Sequence, residues 1–218
     1  MLALSDTCRA AIMGHGGLCA CLSPSALGHL RAIAGDVRIE AGQTLFQTGH
    51  AADALFGVRH GAVMLSRSLD GHRRQILSFH FSGDMLGFAA EGRHHCTATA
   101  LGRASLCRIP LAELDQDLAL QRHVHGILAR NVGQALDMQV RLGRMNAAER
   151  VRSLLNELCS RLGGGRELHL PMRIAEMADY LGLRPETVSR EMSALRQAGL
   201  VGSFSPDGVL AITDPTGL

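Results

Sequence analysis

The stretch RIAEMADYLGLRPETVSREMSALRQAGLV, residues 173–201, leaves few options for how its part of the chain folds. Ile174, Met177, Ala178 and Leu181 fall on one helical face. Gly182 supplies a tight turn, and Pro185 suits the first position of a second helix, where its missing N–H would have had no partner. Val188, Met192 and Leu195 form the buried side of that second helix. Two short helices joined through a glycine make a helix-turn-helix. The following GLVGSFSPDGVLAIT reads as two strands around Pro206-Asp207-Gly208, a wing.

On the second helix Glu186, Ser189 and Arg190 stand at i, i+3 and i+4, one exposed face near the N-terminal end, with Thr187 beside them. That is where a recognition helix presents side chains to base edges in a major groove. Arg190 can pair bidentately with guanine O6 and N7, Glu186 can accept from cytosine N4, and Ser189 can adapt to either neighbour. The competing reading is a Glu186–Arg190 surface pair, which stabilises a helix by only about 0.2–0.5 kcal/mol. Every basic residue is Arg and the net charge is only +2, so charge alone does not point to nucleic acid; the helix pair, the turn and the wing do.

Upstream the character changes. From Val37 to Pro110 short apolar segments alternate with glycines, and Asp70-Gly71 between VMLSRSL and HRRQILSFHF is a hairpin signal. Many short strands with regular turns predict a β-barrel or jelly roll. Residues 22–35 predict a short helix ahead of it, with Ser23 as N-cap, Pro24 at the first position, and Leu27, Leu30 and Ile33 on one face. Residues 117–146 contain no Pro and predict a long helix. Leu128, Val132, Ala135, Gln139 and Leu142 follow a 4-3 spacing along it, a coiled-coil seam interrupted by a Gln, which favours a homodimer over a helix packed on its own barrel. Asn146 with Glu149 forms a capping box that starts a new helix, ended by Gly163–Gly165. The expected class is α+β, with a sensor domain over 1–116, a dimerisation helix over 117–146 and a winged helix-turn-helix over 147–218.

No run of about 18 apolar residues spans a membrane. The N-terminus lacks a basic region followed by a long apolar stretch, so the chain is expected in the cytoplasm. Its six cysteines then sit in a reducing compartment, where metal binding, redox sensing or burial outrank disulfides. No phosphate loop, nucleophile elbow or paired carboxylates suggest an enzyme.

YLGLRPETVSREMSALRQAGLV resembles the recognition segment of the Crp/Fnr family of bacterial transcription regulators, and its E-x-x-S-R pattern resembles the Fnr/FixK branch. The likeness runs through almost the whole chain. EAGQTLFQTGHAADALFGVRHGAVMLSRSLDG and FSGDMLGF, within 40–88, are similar to the family's sensor barrel, a cyclic-nucleotide-binding-like jelly roll, and RMNAAERV resembles the joint between dimer helix and DNA-binding domain. The resemblance implies a homodimer reading double-stranded DNA at a palindrome of TTGAT-like half-sites through Glu186, Ser189 and Arg190, with RNA polymerase as a further partner. Pro185 stands where cAMP-dependent relatives carry an Arg, which again points to the Fnr side.

The resemblance also poses the question of the signal. Cyclic-nucleotide binding in the family needs an Arg-Ser pair to hold the phosphate; here EGRHHCTATA puts His94-His95 there and Arg93 off register, so cAMP is not expected. Fnr-type oxygen sensors hold an iron–sulfur cluster with three N-terminal cysteines and one in the barrel. Cys107 in SLCRIP matches the distal ligand. In CRAAIMGHGGLCAC, Cys8 and Cys19 match the outer positions of a C-x2-C-x7-C spacing, Ala11 occupies the middle one, and Cys21 could supply the missing thiolate. Four thiolates suit a [4Fe–4S] cluster. The alternatives are a degenerate sensor in a constitutive, ligand-independent regulator, a thiol-redox sensor, a haem site around the exposed-looking His94, His95 and Cys96, or zinc on Cys8, His15, Cys19 and Cys21. Cys159 is expected to be buried and inert.

Overall fold

The computed structural model of the protein describes residues 24–69, 73–114, 118–162, 167–204 and 208–213. Ser23, the Asp70-Gly71 turn, Pro206-Asp207 and the segment with Cys8, His15, Cys19 and Cys21 lie outside them. The chain divides into two compact units, one built from residues up to 67 and 77–134, the other from 68–76 and 135 onward.

Helix α1 (Pro24–Ile33) leads into eight strands: β1 (Gly35–Ile39), β2 (Thr44–Phe46), β3 (Ala54–His60), β4 (Val63–Ser68), β5 (Arg74–His80), β6 (Met85–Leu86), β7 (Thr97–Ala100) and β8 (Ala104–Pro110), all within the first unit except Ser68 and residues 74–76 of β5, which group with the second. They form two antiparallel four-stranded sheets, ordered β1-β8-β3-β6 and β2-β7-β4-β5, a jelly roll. The period-2 alternation of strand side chains explains the continuous apolar run of β3. Phe56 and Val58 join Ile39, Phe46, Leu86 and Leu106 in the barrel core. Leu55, on the other face, joins Met85 and Ile109 beneath the helices, with Leu30 of α1 and Leu120, Val124 and Ile127 of the long helix. The β3–β4 turn needs its glycine: Gly61 has φ +86°, and a Cβ there would stand 2.5 Å from the Arg103 carbonyl oxygen. β4 and β5 are sheet neighbours, and the Leu69 N–H donates to the Arg73 carbonyl at 2.8 Å, as the hairpin signal anticipates.

A single turn, α2 (Leu111–Leu114), precedes α3 (Leu118–Arg144), the long helix. In the second unit come α4 (Ala147–Arg161), β9 (Glu167–His169), α5 (Ile174–Leu181), α6 (Pro185–Gln197), β10 (Val201–Phe204) and β11 (Val209–Ile212). The capping box is present at α4: the Asn146 side chain accepts from the Glu149 N–H at 3.0 Å, and the Glu149 carboxylate accepts from the Asn146 N–H at 2.8 Å. Val151, Leu154, Leu155 and Leu158 bury the inner face of α4. The wing has three strands, ordered β10-β11-β9. Sequence periodicity finds the hairpin but not β9, which is only three residues long.

Candidate nucleic-acid interface

Helix α5 starts at Arg173, whose N–H donates to the Glu176 carboxylate at 2.7 Å. The Arg173 guanidinium returns to the same carboxylate at 3.1 Å. Met177, Ala178, Tyr180 and Leu181 are buried, and Ile174 is half-buried. Gly182 ends the helix at φ +62°, a left-handed conformation that costs glycine nothing. Its N–H and that of Leu183 both donate to the Ala178 carbonyl. Arg184 is extended and Pro185 takes the first helical position of α6. Val188, Met192 and Leu195 anchor α6 inward. Glu186, Ser189 and Arg190 are therefore exposed together within one turn of its N-terminal end, and Thr187 is half-buried beside them. Among the described residues no ion pair joins Glu186 to Arg190, and neither side chain is engaged elsewhere.

The Glu176 carboxyl feels opposing influences. Burial pushes its pKa up, but hydrogen bonds and charge from Arg173 outweigh it, and the net shift is downward from 4.5. A carboxyl whose pKa is lower in the folded state stabilises the fold fully above its unfolded value, and that contribution fades as pH falls through the folded one. Glu176→Gln should therefore melt below the wild type at neutral pH, with the gap closing below about pH 4.5. Thermal unfolding across pH checks this.

A second guanidinium gathers the joint between helices. Arg150 donates to the carbonyls of Leu142 at 2.8 Å, Met145 at 2.9 Å and Leu181 at 3.0 Å, so it satisfies the C-terminal ends of both α3 and α5. Nothing in the hydrophobic pattern flags Arg150.

Along α3 the structure separates the seam residues. Val132, Ala135 and Gln139 are exposed, and Leu128 is 39% exposed. Leu142 is instead half-buried, its Cδ2 3.6 Å from where a Cβ would stand on Gly182. Leu136 and Val140, absent from the 4-3 spacing, are each 56% exposed and extend the apolar stripe.

Residues 149–218 match the Crp-like helix-turn-helix domain and residues 36–119 match the cyclic nucleotide-binding domain. The nitrogen fixation regulation protein FixK of Rhizobium meliloti is 35% identical over 73% of this chain and 74% of its own length. FixK of Bradyrhizobium diazoefficiens is 30% identical over 95% of this chain and 90% of its own. This chain belongs to the Crp/Fnr family of transcription regulators. The fumarate and nitrate reduction regulatory protein of Escherichia coli is 32% identical over 80% of this chain and 70% of its own length. The solved structure of FixK2 from Bradyrhizobium japonicum superposes with a TM-score of 0.80 at 30% identity, covering 85% of this chain and 95% of that one.

Within the barrel the stretch EGRHHCTATA carries His94, His95 and Cys96. His94, in the stretch where the family's phosphate-binding Arg belongs, is only 4% exposed and stacks on Phe46 with ring centroids 3.7 Å apart. Burial pushes its pKa down, with Asp53 opposing and His50 reinforcing. Its Nδ1 is buried without a hydrogen-bond partner among the described residues. The expectation of an exposed His94-His95-Cys96 cluster is corrected here: only His95 is exposed, while His94 is buried and Cys96 half-buried against the barrel core. Phe46, on the strand paired with the β7 segment that follows His94, provides the apolar face that the ring stacks on.

Of the proposed cluster ligands only Cys107 is described. It is half-buried beneath the helices, packs with the cluster containing Leu30 and Ile109, and its thiol donates to the Gly57 carbonyl at 3.5 Å. Among the described residues no three His, Cys, Asp or Glu side chains gather to hold a metal. Burial pushes the Cys96 thiol up, with Arg67 opposing, and pushes the Cys159 thiol up as well, so neither is held as the reactive thiolate. Cys159 is half-buried rather than fully buried. No described helix is long and apolar enough to cross a membrane.

Proposed function

We propose that this protein is a FixK/Fnr-type homodimer whose α6 reads TTGAT-like palindromic half-sites with Glu186, Ser189 and Arg190, Thr187 lying alongside. The observation that carries the reading is that these side chains share one exposed turn and are not spent on one another. A surface pair would have occupied both Glu186 and Arg190; unpaired, both can face base edges. The exposed stripe on α3 supports a two-fold partner, and two copies related in that way present two recognition helices to half-sites one helical turn apart. In this reading residues 1–116 sense, 117–146 dimerise and 147–218 bind DNA, in the cytoplasm and in contact with RNA polymerase. The test is selection from a randomised duplex pool by the full-length protein. An inverted repeat with half-site centres about one turn apart is expected; a single unrepeated motif, or no enrichment, refutes it.

For the signal, the burial of His94 against Phe46 argues against a cyclic nucleotide, because a ring packed into the core is poorly placed to meet a phosphate. Oxygen or redox input through Cys8, Cys19, Cys21 and Cys107 as [4Fe–4S] ligands is the reading we favour over a constitutive regulator. It is supported by likeness to the Escherichia coli fumarate and nitrate reduction regulator and by Cys107 lying in the cluster with Leu30 of α1, the helix that follows the cysteine segment. Such a cluster would change charge and ligation with oxidation. Equal operator affinity with and without oxygen would favour the constitutive reading.

A further inference from the structure

The buried guanidinium of Arg141 has no place in a heptad seam and no part in base contact, yet it is among the most heavily bonded side chains of the second unit. Arg141 is 7% exposed. Burying a cation is costly unless its donors are matched. Here they are matched by three helices. Nε donates to Ser153 Oγ at 3.0 Å and Nη2 to Glu157 Oε2 at 2.9 Å, both on α4. Nη1 donates to the Tyr180 hydroxyl of α5 at 3.4 Å and contacts Met138 Sδ at 3.8 Å on its own helix. The guanidinium carbon also lies 5.9 Å from the Tyr180 ring centroid.

The planar fork fixes directions as well as distances. Its bonds orient α5 against α3 and α4 at Tyr180, two residues before the Gly182 turn. The same stretch of α5 has further partners: the Tyr180 carbonyl accepts from Gln75 Nε2 at 3.1 Å, and the Asp179 carboxylate accepts from Arg74 at 2.7 Å. Because α6 packs on α5 and leaves it through the short segment Gly182–Arg184, the pose of the reading turn follows the pose of α5. Buried ion pairs add little stability over apolar packing. Glu157 also keeps a second partner, Arg161, at 3.1 Å, so the fold does not depend on Arg141 to neutralise that carboxylate.

We infer that Arg141 is a positioning residue for sequence readout: it sets the angle at which the helix-turn-helix presents α6 to DNA. This rests on α6 being the reading helix. The experiment compares full-length wild type, Arg141→Met, Tyr180→Phe, the double variant and Arg190→Ala on two probes, the duplex enriched by the wild type and a scrambled duplex of equal length. A loss of folded protein weakens both probes by the same factor, whereas a mis-set α6 weakens only the enriched one. Arg141→Met should reduce affinity for the enriched duplex by about tenfold while the scrambled duplex changes by less than about twofold. Tyr180→Phe should act in the same direction more weakly and add nothing to Arg141→Met. Equal loss on both probes, no loss on either, or full additivity overturns the inference. If Arg190→Ala leaves the enriched duplex unaffected, the assignment of α6 as reader fails instead.

Discussion

Leu136→Asp should leave the chain monomeric at concentrations where the wild type dimerises, and operator binding should go with it. Leu136 and Val140 are each 56% exposed and Val132 53%, at successive four-residue steps from Leu128 at 39% along α3, a stripe that winds slowly around the helix. From Leu128 to Val140 the stripe runs about 18 Å at 1.5 Å per residue, long enough for a helix–helix seam. Each such side chain gains up to about 1.5–3 kcal/mol on full burial, less here because each is already partly covered. An ionised carboxylate in that seam loses the gain and is desolvated besides, and two-fold symmetry introduces it twice. A loss of about 3 kcal/mol corresponds to more than about a hundredfold weaker association. Ala135→Asp, also exposed and on the face that carries Leu128 and Gln139, should shift the equilibrium in the same direction. Sedimentation velocity across a concentration series measures this, and circular dichroism verifies that the monomer stays folded, as an exposed site allows. A Leu136→Asp chain that dimerises like the wild type would mean the seam lies elsewhere.

The contrast between α3 and α6 shows what a single chain makes legible. The helix-turn-helix is local: Gly182, Pro185 and the 3.6-residue spacing of Val188, Met192 and Leu195 are all short-range signals, and each has the role its chemistry predicts. The α4 capping box is legible for the same reason. The apolar stripe that α3 leaves exposed is less so, because several faces of that helix carry apolar residues and the fold decides which are buried. Leu120, Val124 and Ile127 go to the barrel. Leu142, which fits a heptad, goes to the Gly182 turn, and Leu136 and Val140, which do not, are left outside. His94 makes the same point in the barrel. A histidine in a Gly-rich loop reads as surface, and only the fold brings Phe46 of β2 against its ring. Arg141 is invisible to pattern altogether, since a charged residue three positions from a helix end reads as solvated until Ser153, Glu157 and Tyr180 surround it.

Arg190→Ala should cost about 1–3 kcal/mol of specific binding and relax selectivity at one base pair, with the other positions of the half-site unchanged. The reason lies in what Arg190 does not do. It is exposed, and neither a hydrogen bond nor an ion pair holds it among the described residues, so its removal breaks no internal contact and stability should hardly move. Its loss should therefore appear almost wholly in readout. A bidentate contact to guanine is a base contact, so the salt dependence of binding, which counts neutralised phosphates, should keep its slope; an arginine that only touched the backbone would lower that slope by about one and weaken all sequences alike. Titration of the operator and its single-base variants at several salt concentrations separates the two. A uniform loss across sequences with a shallower salt slope would move Arg190 from reading bases to holding phosphate, and would leave Glu186 and Ser189 as the remaining readers on that turn.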